Sequence, residues 1–269
     1  MTPLQQKQLR LLKIFTSLCE EWNLTYYLAC GSALGAVKYG GFIPWDDDVD
    51  VAMPRSDYER FLVQAQERLP EGIFLQNFRT DPAFPQIYSK LRDDDTAFVE
   101  KSSCHLPIHH GVFIDIFPLD GYPEDPVQQR TLEWKKRVYL HLLGTAFAPP
   151  KGCLRYLLYA MKRLLGFHRH TCKIADRYDH LVKQYPADNS SLWCNHGNWQ
   201  GKREYAPREQ YGPGVWGSFE GHPVRLPSQW DDYLTQKYGD YTQDLPKVQQ
   251  VGHHSVTICD PEKSYSYYI

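Results

Sequence analysis

The 269-residue sequence predicts an α+β fold, a mixed β-sheet core flanked by helices. Three observations lead there. The first twenty-odd residues carry apolar side chains at helical spacing, short β-rich runs joined by turns fill residues 73–117, and the texture becomes helical from about residue 126. The hairpin-like connections favour α+β over a parallel, doubly wound sheet.

In chain order, Leu4, Leu11, Leu12, Phe15, Leu18, Cys19 and Trp22 define an amphipathic helix over 4–22. Thr25–Cys30 reads as a strand stopped by Gly31-Ser32, and a short helix, Ala33–Tyr39, ends at Gly40-Gly41. Asp48–Met53 alternates acid and apolar, the period of a strand. Ser56-x-x-Glu59 has the form of a capping box and opens a helix to about Leu69. Ile73–Phe78, Ile87–Leu91, Ala97–Val99 and Val112–Phe117 read as further strands, with turns at Asp81-Pro82 and Arg92–Asp95. Pro149-Pro150 splits the helical region in two, and a late helix lies near Ser228–Tyr238. The expected organisation is a catalytic core over 1–125, a basic helical region over 126–187, and a loop-rich part over 188–269 that completes the same unit.

Hydrophobic content of 42% and charged content of 23% are those of a soluble globular protein. A net charge of −2 excludes a chain that is basic overall, so no nucleic-acid partner is expected. Seven cysteines without a CxxC pair read as reduced thiols, and MTPLQQKQLRLLKIF lacks the apolar run of a signal peptide. The expected location is therefore cytoplasmic.

The stretch Pro44-Trp45-Asp46-Asp47-Asp48-Val49-Asp50 crowds four carboxylates together. On a strand Asp48 and Asp50 face the same way, their α-carbons about 6.5–7 Å apart, while Val49 and Val51 face the core. Like charges held so close repel unless a cation lies between them. A hard divalent cation suits such an all-oxygen set, Mg²⁺ first, with Mn²⁺ as the alternative. Asp115 stands alone in the apolar strand Val112–Phe117, where a buried carboxylate needs a metal or a strong donor. Asp48, Asp50 and Asp115 are thus the expected metal ligands and catalytic acids, with Asp46 as a further ligand or, like Asp47, a solvated turn residue. Gly31-Ser32, between a strand and a helix, lets backbone approach a phosphate. Lys90 and Arg92 are suited to a pyrophosphate, and a solvated strand end is the plain alternative.

These segments in this order resemble the LicD family, which includes bacterial phosphocholine transferases, is related to the fukutin proteins and belongs to the nucleotidyltransferase superfamily. The resemblance rests on Gly31-Ser32-Ala33-Leu34-Gly35-Ala36, on the acidic stretch above, and on Val112–Gly121 with Asp115. It extends through Lys90-Leu91-Arg92 to Val224–Pro227, Tyr233-Leu234, Tyr238–Asp240, Pro246 and His253, and is weaker over 126–205. It implies a nucleotidyltransferase-like fold and transfer of phosphocholine from CDP-choline to a glycan hydroxyl, of teichoic acid or lipopolysaccharide type, releasing CMP. It also implies Mg²⁺ on Asp48, Asp50 and Asp115, with Asp115 helping to deprotonate the acceptor. His253 is placed toward the acceptor or leaving group, with a surface histidine pair, His253-His254, as the alternative. CDP-ribitol, CDP-glycerol or nucleotidyl transfer are the enzymatic alternatives. A glycan- or lipid-binding protein is the non-enzymatic one, against which the complete acid set argues.

Nine Lys or Arg and no acid lie between Trp134 and Ala175, and Leu154–Leu165 forms an apolar face beside Arg155, Lys162 and Arg163. Such a helix suits an anionic membrane surface with a lipid-linked acceptor, or a polyanionic glycan; a packed domain helix is the alternative. Trp193, Trp199, Trp216 and Tyr211 suit a wall that stacks on sugar or on a quaternary ammonium group, with core packing as the alternative. His168, His170, Cys172, Cys194 and His196 lack the spacing of a structural zinc site, so zinc is not expected.

Overall fold

The computed structural model describes residues 1–197 and 201–269, which leaves Trp199 outside. Helix α1 (Pro3–Glu21) is opened by Thr2, whose side chain accepts from Gln5 N–H while the Gln5 amide oxygen accepts from Thr2 N–H. This capping box satisfies two donors that a helix start leaves free. Leu11, Leu12, Phe15 and Cys19 bury its apolar stripe. Strand β1 (Tyr27–Leu28), helix α2 (Cys30–Tyr39), strand β2 (Asp50–Pro54) and helix α3 (Arg55–Arg68) follow. Next come β3 (Ile73–Gln76), β4 (Ser89–Asp93), β5 (Ala97–Glu100) and β6 (Phe113–Tyr122). Helices α4 (Pro126–Leu143), α5 (Cys153–Leu164) and α6 (Thr171–Val182) make the helical region, divided at the two prolines. The last part holds β7 (Leu192–Asn195), β8 (Tyr205–Pro207), α7 (Arg208–Tyr211), β9 (Val215–Phe219), β10 (His222–Leu226), α8 (Trp230–Tyr238) and β11 (Val256–Asp260).

The fold is mixed α+β. The central sheet runs β1-β2-β6-β4-β3, and β7 and β8 extend it from the far end of β6. Only β2 and β6 are parallel; the remaining pairs of this sheet are antiparallel. Strand β6 is the axis: its first half pairs with β2 and β4, its second half with β7, and all ten residues are buried. One apolar core joins α1 and α3 to the sheet, and a second joins α4 and α6 to Phe78, Ile87, Tyr122 and Cys194.

Four sequence expectations are corrected. Strand β6 runs beyond Phe117 to Tyr122, because the polar residue that breaks the apolar run, Asp120, has a buried partner in Arg55. Strand β5 leaves the central sheet and pairs with β11. The Ser56 capping box does not form: α3 begins two residues earlier, with Pro54 in place of Ser56 as the cap position and no side-chain cap, and Glu59 bonds Arg55 and Lys183 instead. Asp48 precedes β2 rather than lying in it.

Arg55 locks three elements together. It binds both oxygens of Asp120 on β6 at 2.7 and 2.6 Å, and Asp179 on α6 at 3.1 Å. Removing one partner from such a buried set strands the others' charge. Arg55→Ala is expected to cost about 3–5 kcal/mol, read from urea denaturation; an unchanged midpoint would refute the assignment.

His109 shows how burial selects a protonation state. Its Nδ1 accepts from Gly111 N–H at 3.0 Å, so Nε2 carries the proton and donates to Asp94 at 2.8 Å. Burial, then the charge of Arg92, pushes the ring's pKa from 6.5 down to about 3. Between those values only the unfolded chain takes up the proton, so stability falls as pH drops through that window. His109→Gln is expected to flatten the loss of denaturation midpoint between neutral and mildly acidic pH; equal slopes for variant and wild type would count against it.

Candidate active site

Sheet register places the acids. In the parallel pair, Asp50 lies opposite Asp115, and on the other side of β6 Lys90 lies opposite Asp115. Residues in register across neighbouring strands share a face. Asp50, Asp115 and Lys90 therefore form one row across three strands. Lys90 Nζ is 2.7 Å from Asp115 Oδ1 and 3.2 Å from the centroid of the Phe113 ring. Asp115 Oδ1 is nevertheless buried with no donor aligned for a hydrogen bond.

The acidic turn before β2 is held from three directions. Helix α1 reaches it through Gln5 Nε2, which donates to Asp46 O at 3.1 Å, and Gln8 Nε2, which donates to Asp47 O at 2.7 Å. Helix α2 contributes the buried Ser32, whose Oγ accepts from Asp50 N–H at 2.8 Å, and Gly31, where a Cβ would come within 2.8 Å of Asp46 Oδ2. Thus the Gly31-Ser32 pair supports the acid strand directly: the glycine admits the Asp46 carboxylate, and the serine fixes the backbone of Asp50. No side chain caps α2.

The third support comes from the end of the chain. Asp47 accepts from the backbone N–H groups of His253 and His254, each at 3.1 Å, and pairs with His254 Nδ1 at 2.9 Å. The turn residue is thus a clamp. His254 Nδ1 also lies 4.0 Å from Asp48 Oδ2, and Nε2 lies 3.9 Å from Glu100 Oε1. His253 is exposed, with Nε2 4.0 Å from Asp46 Oδ1. Sequence reasoning gave precedence to His253 and missed Glu100 altogether. Glu100 arrives through the β5–β11 pairing, which brings Val256 opposite it, and no local pattern encodes that contact.

The electrostatics are those of acids crowded without enough cations. Burial, then the charge of Asp47, raises the Asp46 carboxyl to about 6. Burial, then Asp46, raises Asp48 to about 7. Burial, Asp48 and Asp115 push Asp50 well above the carboxylate range. Burial works against a charged His254, but its bond to Asp47 together with the charges of Asp48 and Glu100 outweighs this and holds the ring above its ordinary value. Asp47, Asp48 and His254 offer ligand atoms within 4.8 Å of one another, a grouping able to hold a metal ion.

The remaining expected site residues sit differently. Arg92 shares the Lys90 face and is buried like it, but its Nε and Nη1 donate to Gln76 Oε1 and Gly111 O at 2.5 Å each. Its bonds brace the sheet. The aromatic wall is not assembled among the described residues: Trp193 and Tyr211 pack in the core, ring centroids 5.5 Å apart, while Trp216 is exposed on β9 beside Arg225.

Residues 23–147 match the model of the family described as LicD/FKTN/FKRP, nucleotidyltransferase domain. The chain is 28% identical over 262 residues to the lipopolysaccharide cholinephosphotransferase LicD of Haemophilus influenzae, an alignment covering 91% of this chain and 92% of that protein. It is 26% identical over 121 residues to an uncharacterized protein of Rickettsia prowazekii, covering 43% of this chain and 40% of the other. The matched span contains the Gly31-Ser32 helix start, the acidic turn, Lys90 and Asp115. Residues 23–147 are thus similar to the LicD/FKTN/FKRP nucleotidyltransferase domain, and nearly the whole chain is similar to the Haemophilus protein.

Proposed function

We propose that this protein transfers phosphocholine from CDP-choline to a hydroxyl of a cell-surface glycan, of lipopolysaccharide or teichoic acid type, and releases CMP. The observation that carries the reading is the row formed by Asp50, Asp115 and Lys90, with Asp48 beside it, inside the span similar to the LicD/FKTN/FKRP domain. The similarity to a lipopolysaccharide cholinephosphotransferase over nearly the whole chain supports the donor and acceptor class.

The residues fit a divalent cation, Mg²⁺ or Mn²⁺. Asp50 and Asp115 face each other across the strand pair, and the neighbouring acids are oxygen ligands whose mutual repulsion a cation relieves. Asp48, Asp50 and Asp115 would hold it, with Asp46 and Asp47 next to them. When bound, it neutralises the pyrophosphate charge that grows as the bond to CMP breaks.

The chain's own groups account for the rest. Lys90 offers a fixed positive charge beside Asp115, where a phosphate oxygen can share it. Asp115 takes the proton of the acceptor hydroxyl as that oxygen bonds to the choline-bearing phosphorus, and the phosphorus–oxygen bond to CMP breaks. Ser32, Gln5 and Gln8 keep the acids in place by holding their backbone. The acceptor is a glycan on a lipid carrier at the inner face of the membrane.

The decisive assay combines the pure chain with CDP-choline, Mg²⁺ and lipopolysaccharide acceptor, and follows CMP and phosphocholine incorporation. Asp48→Asn, Asp50→Asn and Asp115→Asn should each lower kcat by about a hundredfold or more. Turnover by Asp48→Asn equal to wild type would sink the site assignment. Release of pyrophosphate in place of CMP would mean nucleotidyl transfer, and CMP from CDP-ribitol or CDP-glycerol alone would replace choline as the alcohol.

The acids also set a pH dependence for metal binding. With Asp46 raised to about 6 and Asp48 to about 7, the cluster keeps protons in mild acid, and the folded chain loses stability as pH rises through those values. A cation competes with those protons and restores the loss. The rise in melting temperature on adding Mg²⁺ should therefore be small below about pH 6 and grow toward about pH 8. A shift that is absent, or equal at both ends, contradicts the metal assignment.

A further inference from the structure

Helix α5 is inside out. At 100° per residue, Leu154, Leu157, Leu158, Met161 and Leu165 fall on one stripe at i, i+3, i+4, i+7 and i+11. Such a stripe normally turns to a core. Here the helix buries no residue at all, and Leu154, Leu157 and Leu164 are 71%, 63% and 88% exposed. The opposite side faces the protein instead. Tyr159 donates its hydroxyl to Phe147 O at 2.9 Å, and Arg163 Nη1 donates to Thr145 O at 3.2 Å. Both tethers sit roughly half a turn from the stripe, so the anchoring of the helix itself fixes the apolar face outward.

We propose that α5 docks the protein on an anionic lipid bilayer, lying flat with this stripe in the headgroup boundary. Charge selects that occupant. Lys151, Arg155 and Arg169 are exposed around the helix and the turn after it, as is Lys173 at the start of α6, and no acid occurs from Trp134 to Ala175. An apolar stripe bordered by basic side chains is the pattern of a surface-bound helix, and each Lys or Arg near an anionic leaflet strengthens the attraction. A second copy of the chain is the poorer occupant. A two-fold contact would set Arg155 and its neighbours against the same residues, with no acid on the helix to pair them. Twelve residues span about 18 Å, so α5 rests on the bilayer rather than crossing it. No described helix is long and apolar enough to cross a membrane.

This surface is independent of the chemistry proposed above, because vesicle binding is measured with no donor present. The experiment floats the full chain with phosphatidylcholine vesicles, with and without phosphatidylglycerol. Two double variants accompany it, Leu157→Glu with Met161→Glu, and Lys151→Glu with Arg155→Glu. All four positions are exposed, so circular dichroism and melting temperature should match wild type. Wild type is expected to float with the anionic vesicles. The first variant should stay behind, and the second should bind about tenfold or more weakly and lose its preference for the anionic lipid. Wild type that ignores anionic vesicles overturns the proposal, as do variants that bind like wild type. A wild-type dimer in sedimentation that Leu157→Glu with Met161→Glu dissolves would give the stripe to a second copy instead.

Discussion

The parallel pairing of β2 with β6 sets Asp50 opposite Asp115, and the surrounding structure answers to that juxtaposition. Like charges directly across a strand pair are destabilising, more so where water is scarce. Lys90, one strand further along the same row, offsets part of it. Asp46 and Asp48 add to the repulsion, and their carboxyls are driven far above the usual range. Crowded acids of this kind are costly for the folded chain while they stay charged and unpaired.

Holding such a cluster takes supports that carry no catalytic chemistry. Gln5 and Gln8 reach from α1 to the carbonyls of the acidic turn, Ser32 takes the Asp50 amide, and Gly31 leaves room for Asp46. Asp47 draws residues 253 and 254 back to the site and seats His254 near Asp48 and Glu100. At the far end of β6, Arg55 ties α3, β6 and α6 together. Short buried ion pairs thus stand at both ends of the axial strand, Lys90 with Asp115 at one and Arg55 with Asp120 at the other.

The helical region adds a second kind of asymmetry. Helices α4 and α6 bury their stripes in the smaller core, whereas α5, between them in sequence, turns its stripe away. Exposed apolar surface of that extent on one short helix is the observation on which the membrane-docking proposal rests.

Much of this was legible in the chain. The helical spacing of 4–22, the turn signals and the prolines at 149–150 mark their elements because each depends on neighbours a few residues away. The acids at 46–50 and the lone Asp115 in an apolar run stand out by composition alone, since so much like charge in one place is unfavourable. Tertiary structure decided the rest. The length of β6 rests on Arg55 meeting Asp120, the role of Asp47 on a segment two hundred residues later, and the arrival of Glu100 on a pairing with β11. Whether Arg92 faces a ligand or a carbonyl, and which way the stripe of α5 points, likewise depend on long-range partners. Periodicity states which side chains share a face; only packing states what that face meets.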